Sequence, residues 1–116
     1  MTKICTSIEQ SKKLIEILPI ESADMWYSYY GNTKYNLTIA YEGEQWFLCH
    51  IRNSSHTDIP CWSLAALLNV LPSATLDSSN DHHFRIHCMK RYTEWYDNAV
   101  DACVEMIIRL NESKLL

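Results

Sequence analysis

The residues with the clearest potential for chemistry are the histidines and cysteines of one predicted strand and its neighbours. These side chains are preferred zinc ligands, and a structural zinc site needs about four of them in tetrahedral geometry. In a strand, His83 and His87 point to the same side with Arg85 between them, while Cys88 points to the other side. The pattern predicts a polar sheet face rather than a metal centre, and His83 and His87 are weak metal candidates. The complete set is His82, His83, His87 and Cys88, with Cys49 and His50 on another strand.

A cysteine nucleophile requires a thiolate held close to a base. The best candidate pair is Cys61 with the loop histidine His56. Cys61 also adjoins Trp62 at the start of an apolar helix, where a small thiol packs well in a core. Only two glycines are present, Gly31 and Gly43, and both stand in predicted turns, so a phosphate-binding loop is disfavoured. We predict no catalytic residue and no cofactor, with a Cys/His-based or metal-dependent enzyme as the less favoured alternative.

Aromatic residues give the strongest indication of binding. Tyrosine and tryptophan are favoured at protein interfaces because they bury a large area and lose little side-chain entropy. The same side chains also stabilise a small sheet by cross-strand packing, and the two roles can coexist. If helices cover one face of the sheet, the other exposes several of them. We select four as a candidate interaction surface: Trp26, Tyr30, Trp46 and Trp95.

Two helices that stop at prolines are predicted in the first part of the chain. Thr6 and Glu9 have the spacing of a capping box and predict a helix that ends before Pro19. The apolar segment Ile59–Pro72 predicts a short buried helix with Ser63 as its N-cap. Its leucines follow helical spacing and form one stripe: Leu64, Leu67, Leu68 and Leu71.

Alternating and aromatic segments predict the strands. A third helix with a broad apolar face follows them, capped by Asp97 or Asn98, and polar loops are predicted at Asn53–Asp58 and Ser73–Asp81. The sequence therefore predicts an α+β domain, with a mostly antiparallel sheet of four or five strands and about three helices packed mainly on one face. The predicted strands are Met25–Tyr30, Tyr35–Tyr41, Trp46–Arg52, His83–Met89 and, least clearly, Arg91–Tyr96.

The composition favours one soluble domain over residues 1–116. The chain is 47% hydrophobic, which suits one continuous core, and no apolar run approaches the ~20 residues of a membrane span. Five cysteines without CxxC pairs, and an N-terminus unlike a signal peptide, predict a reducing cytoplasm. The net charge of −4, with acids and bases interspersed, disfavours nucleic acid as a partner.

Three separated segments carry a resemblance to known proteins: Ser7–Leu14 with Ser22–Met25, Ile59–Leu68, and Asp101–Leu110. In this order they resemble small uncharacterised proteins of phages, prophages and conjugative elements of gut bacteria. The resemblance implies a mobile-element origin and no catalytic residue or cofactor. The chain departs from these proteins at Asn98, where alanine rather than proline follows.

These observations predict a small non-enzymatic cytoplasmic protein. It would act by protein–protein interaction through an aromatic sheet face, with an unknown protein partner or by self-association as a homodimer. A single-stranded nucleic-acid binder that stacks bases on the aromatic residues is the alternative.

Overall fold

The computed structural model describes residues 3–29, 39–40, 46–52 and 58–116. They fall into two compact units, Ser7–Trp62 (the first unit) and Met1–Thr6 with Ser63–Leu116 (the second unit). Each unit contains one antiparallel sheet, so the α+β class is confirmed. The predicted single sheet of four or five strands is wrong, because the described residues form seven strands in a four-stranded and a three-stranded sheet. The single domain over residues 1–116 stays a prediction.

The first unit combines one α-helix, one 3₁₀ turn and the four-stranded sheet. The elements are α1 (Ile8–Ile15), the 3₁₀ turn (Ile20–Ser22), β1 (Met25–Tyr29), β2 (Ile39–Ala40), β3 (Trp46–Cys49) and β4 (Ile59–Cys61). The strands lie in the order β2-β3-β1-β4, and each pairs antiparallel with its neighbour. The predicted turn at Gly31–Asn32 and most of the predicted strand at Tyr35–Tyr41 lie outside the described residues.

Helix α1 begins one residue later than the sequence predicts. Its capping box is formed by Ser7 and Gln10 instead of Thr6 and Glu9: the Gln10 amide donates to Ser7 Oγ at 3.1 Å, and the Ser7 amide donates to Gln10 Oε1 at 3.0 Å. Both pairs have the required chemistry. Thr6 is instead fully buried just before the helix, so burial and not capping is its structural role.

Residues Ile59–Cys61 form strand β4, whereas the sequence predicts that this segment leads into the second helix. Among the described strands β4 pairs with β1 alone, so it lies at an edge of the sheet, where proline is tolerated because no second neighbour needs its missing amide donor. Trp62 follows directly and is fully buried. Its indole Nε1 donates to Ser22 Oγ at 2.9 Å, which attaches the end of the strand to the 3₁₀ turn.

The second unit contains two helices and the three-stranded sheet, in the strand order β5-β6-β7. Ser63 caps α2 as predicted, with its Oγ accepting from the Ala66 amide at 3.2 Å, and Asn98 is the residue that caps α3. Strand β5 occupies part of a segment that the sequence predicts as a loop. The elements are α2 (Leu64–Val70), β5 (Thr75–Ser78), β6 (Phe84–Cys88), β7 (Arg91–Tyr92) and α3 (Ala99–Glu112).

Helix α3 lies against strand β6 and also contacts α2. Along β6, Ile86 and Cys88 are fully buried, whereas Arg85 and His87, which alternate with them, are only half-buried. One face of this sheet is therefore packed on the core, and the other, which we call the outer face, is accessible to solvent. No helix in the described ranges has both the length and the apolar character that crossing a bilayer requires.

Candidate interaction surface

The four residues selected from the sequence do not form one surface. Trp26 pairs with Cys49, and Trp46 stands three positions before Cys49, so the two tryptophans lie on opposite faces of the first unit's sheet. Trp95 belongs to the second unit, and Tyr30 lies outside the described residues. Trp26 is half-buried beneath the Arg52 guanidinium, whose carbon lies 4.5 Å from the ring centroid. Trp95 lies among the stacked and exposed groups of the second unit.

Four planar groups stack on the outer face of the second unit's sheet. The rings of His87 and Tyr92 are 4.2 Å apart with an interplanar angle of 7°. The Arg85 guanidinium carbon lies 4.4 Å from the Tyr92 ring centroid and 4.6 Å from that of Trp95. His87 and Arg85 therefore both contact the Tyr92 ring. We call the series His87, Tyr92, Arg85 and Trp95 the stacked ladder.

Hairpin geometry brings the members of the ladder together. Tyr92 pairs directly with His87 across β6 and β7, so both side chains leave the same face. Met89 and Lys90 form the two-residue turn between these strands, and both have positive φ, at 52° and 65°. This is the backbone of a type I′ turn, which matches the twist of a tight hairpin.

Ion pairs and backbone bonds hold the ladder in place. Arg85 Nε donates to Asp77 Oδ2 at 3.1 Å, which fixes the guanidinium from the neighbouring strand β5. Arg109 of helix α3 donates through Nη1 to the Tyr92 carbonyl at 3.1 Å and through Nε to Glu105 at 2.7 Å. The hydrogen bond to Glu105 raises the pKa of Arg109. The Tyr92 backbone is therefore tied to the helix behind the sheet.

The segment that carries Trp95 is also fixed at its far end. Tyr96 and Phe84 exchange two backbone hydrogen bonds of 2.7 Å, which continue the β6 pairing beyond β7. Burial, followed by the charge of Glu105, raises the pKa of the Tyr96 hydroxyl, so it remains protonated at neutral pH. Backbone hydrogen bonds to β6 therefore hold the chain on both sides of Trp95, at Thr93 and at Tyr96.

Both aromatic rings of the ladder remain accessible. Tyr92 is 50% exposed and Trp95 is 45% exposed, although each ring already contacts the guanidinium. Stacking restricts the rotamers of such side chains before any partner arrives, which reduces the entropy lost on binding. Tryptophan, tyrosine and arginine are also the residue types that dominate interface energetics.

The candidate metal ligands occupy this same outer face. Arg85 and His87 alternate with buried residues on β6, whereas His83 precedes the strand, which begins at Phe84. His83 Nε2 lies 3.4 Å from Asp97 Oδ1, while His87 is stacked on Tyr92. Within the described ranges no three histidine, cysteine, aspartate or glutamate side chains are grouped so that they could hold a metal ion.

The candidate nucleophile lies in the interior of the protein. Cys61 has no exposed surface and stands on β4 opposite Met25, and His56 falls outside the described residues. All five cysteines are buried and reduced. Burial raises the pKa of Cys103 to about 12 and also raises that of Cys88. Neither thiol has the lowered pKa that marks a reactive cysteine.

Native protein is therefore expected to resist thiol labelling. At pH 8, a thiol with a pKa of about 12, such as Cys103, is ionised in roughly one molecule in ten thousand. Iodoacetamide should leave the folded chain unmodified over minutes and should modify all five cysteines in denaturant. Intact-mass spectrometry measures both outcomes. Rapid single modification of the folded protein at Cys61 would support the nucleophile that we disfavour.

Sequence reasoning missed Arg85, His87 and Tyr92 as members of the stacked ladder. The sequence did contain one indication of this group. Strand alternation places Arg85 and His87 on the same side of a predicted strand, and the next predicted strand along the chain is aromatic. The tight turn at Met89–Lys90 contains no glycine or asparagine, so the sequence did not predict the pairing that places Tyr92 against His87.

Comparisons with protein-family models, curated proteins and solved structures returned no match.

Proposed function

We propose that this chain is a small non-enzymatic protein of mobile-element origin that acts in the cytoplasm by binding protein through the stacked ladder. The observation that carries the proposal is the half-exposed pair Tyr92 and Trp95, held against the Arg85 guanidinium. An exposed group of aromatic residues in fixed positions is typical of an interface centre. The origin and compartment rest on the resemblance of the three sequence segments and on the cysteine pattern.

The partner that we propose is a second copy of the chain. A twofold interface brings the same patch together from both copies, so the patch must be complementary to itself. From the start of β5 to the cap of α3, residues 75–98 hold three basic and four acidic side chains, so the segment that carries the ladder has a net charge of only −1 to repel a second copy. They are Arg85, Lys90 and Arg91 with Asp77, Asp81, Glu94 and Asp97.

The same charge balance disfavours single-stranded nucleic acid as the ligand. Aromatic side chains and arginine are able to stack on bases, but such sites also need a positively charged groove to follow the phosphates. Asp77 already pairs with the Arg85 guanidinium, and the whole chain carries a net charge of −4. A protein surface therefore matches the ladder better than a polynucleotide.

Light scattering on size-exclusion fractions tests the proposed function. Wild type is expected at twice the 13.6 kDa of the chain, and the double variant Tyr92→Ala, Trp95→Ala at the single-chain mass. Truncating two residues at an interface centre weakens binding by roughly 30-fold or more. The matched control is Ile51→Ala, which removes an exposed apolar side chain of the first unit and should stay dimeric.

Two results would count against this function. One is a wild type that stays monomeric at every concentration tested. The other is saturable binding of a labelled oligothymidylate at low salt that the double variant loses, because it would assign the ladder to nucleic acid. Circular dichroism on each variant verifies that the fold is retained.

A further inference from the structure

A cavity of about 380 Å³ lies in the second unit, away from the stacked ladder. It is bounded by the start of α2, strands β5 and β6, the start of α3 and the N-terminal segment. Its apolar wall is formed by Leu64, Leu76, Phe84 and Val100. This volume falls in the lower part of the range for small-molecule sites, which are mostly apolar with a few placed polar groups.

His82 lines this cavity in an unfavourable backbone conformation. Its φ is 61°, in the left-handed region that costs free energy for residues other than glycine. Ser79 closes the turn, because its carbonyl accepts from the His82 amide at 3.2 Å and its amide donates to the His83 carbonyl at 2.9 Å. The exposed imidazole of His82 has no hydrogen-bond partner among the residues that the structure describes. The turn thus holds a hydrogen-bonding side chain at the cavity mouth.

Lys3 adds a positive charge to the same lining. Its ammonium lies 2.8 Å from Asp101 Oδ1, and the side chain is 21% exposed. The other oxygen of Asp101 accepts from Asn98 Nδ2 at 2.9 Å, so Lys3 and Asp101 form a fixed ion pair at the edge of the cavity. Asp97 is the opposing charge in the lining, but it is 94% exposed and lies beside His83. Solvent therefore screens Asp97 more than it screens Lys3.

We propose that this cavity binds a small aromatic carboxylate. The ring packs against Phe84 and the aliphatic wall, where burial of apolar area favours it. The carboxylate accepts a hydrogen bond from the His82 imidazole, and the Lys3–Asp101 ion pair borders the site. Charge-assisted hydrogen bonds of this kind are the stronger class, and they select the anion over a neutral molecule of the same shape.

Isothermal titration with 2-naphthoate and its methyl ester tests the selectivity for an anion. The two probes share the ring system, and only the first is charged. We expect 2-naphthoate to bind at one site per chain, with the ester about tenfold weaker because it loses the charge-assisted hydrogen bond. Equal affinity for the two probes, or binding of neither, would overturn the proposal.

Two variants locate the binding site. His82→Gly removes the imidazole and suits the positive φ, so the fold should be at least as stable while affinity for 2-naphthoate falls about tenfold. Lys90→Gly is the matched control, since it makes the same change at φ 65° on the β6–β7 turn and should leave the affinity unchanged. Leu76→Trp fills the cavity and should abolish binding.

The variants also separate this site from the ladder. The Tyr92→Ala, Trp95→Ala variant should bind 2-naphthoate with wild-type affinity, whether or not the chain is a dimer. If His82→Gly binds like wild type, or if the ladder variant loses binding while folded, the probe occupies another site and the assignment to this cavity is wrong.

Discussion

Replacing Trp62 with alanine is expected to lower the free energy of unfolding by about 3–5 kcal/mol, the usual cost of removing a large buried aromatic side chain. Trp62 has no exposed surface, and its indole nitrogen is bonded to Ser22 Oγ at 2.9 Å. The substitution leaves a cavity at the junction of β4 with the 3₁₀ turn. Denaturant titration followed by far-ultraviolet circular dichroism measures the change.

Two further variants divide this loss between packing and hydrogen bonding. Ser22→Ala keeps the ring and removes the acceptor, so it should cost about 1–3 kcal/mol, as expected for an unsatisfied buried donor. Trp62→Phe keeps part of the ring volume and should fall between wild type and Trp62→Ala. If Trp62→Ala cost less than about 0.5 kcal/mol, the side chain would behave like a surface residue.

The second large effect is expected at Leu67 in the other unit. Leu67 is fully buried on helix α2, which contacts α3, and Leu67→Ala should cost about 2–5 kcal/mol. The matched control is Asn69→Ala, an exposed position on the same helix, which should change stability by no more than about 0.5 kcal/mol. Similar values for both variants would mean that α2 is peripheral to the core.

Together, Trp62→Ala and Leu67→Ala test the predicted single domain, because the two positions belong to different compact units. A single domain unfolds in one cooperative transition, and each variant then shifts that same transition. Two separate transitions, each moved by only one of the variants, would show that the units unfold independently and that the single-domain prediction is wrong.

Helix caps and alternating strands were predictable because their signals are local. Ser63 caps α2 with the bond that its position in the sequence predicts, and β6 alternates buried Ile86 and Cys88 with half-buried Arg85 and His87. Both features depend on residues a few positions apart. The shift of the α1 cap from Thr6 to Ser7 arises because two adjacent residues had suitable chemistry and tertiary burial selected between them.

Strands β4 and β5 were not predictable, because neither has a typical strand sequence. β4 contains Pro60, which is acceptable only because β4 pairs on one side. β5 is short and polar, with both end residues exposed, and its sequence resembles a loop. Treating these segments as helix entrance and loop led to one predicted sheet where the structure has two.

The stacked ladder was only partly predictable from the sequence. Trp95 was selected from the sequence, but its neighbours depend on the β6–β7 register and on the two positive φ values at Met89 and Lys90. Trp26 and Trp46 were grouped because both lie on strands. Their register places them on opposite faces, which the spacing within either strand alone does not determine.

We propose that the protein binds a second copy of itself through the stacked ladder. A dilution series followed by nuclear magnetic resonance tests this proposal most directly. Amide and indole signals of Arg85, His87, Tyr92 and Trp95 should shift together as the concentration rises. Signals of β1 and β4 in the first unit should stay constant. Shifts confined to the first unit, or an unchanged spectrum at all concentrations, would contradict the claim.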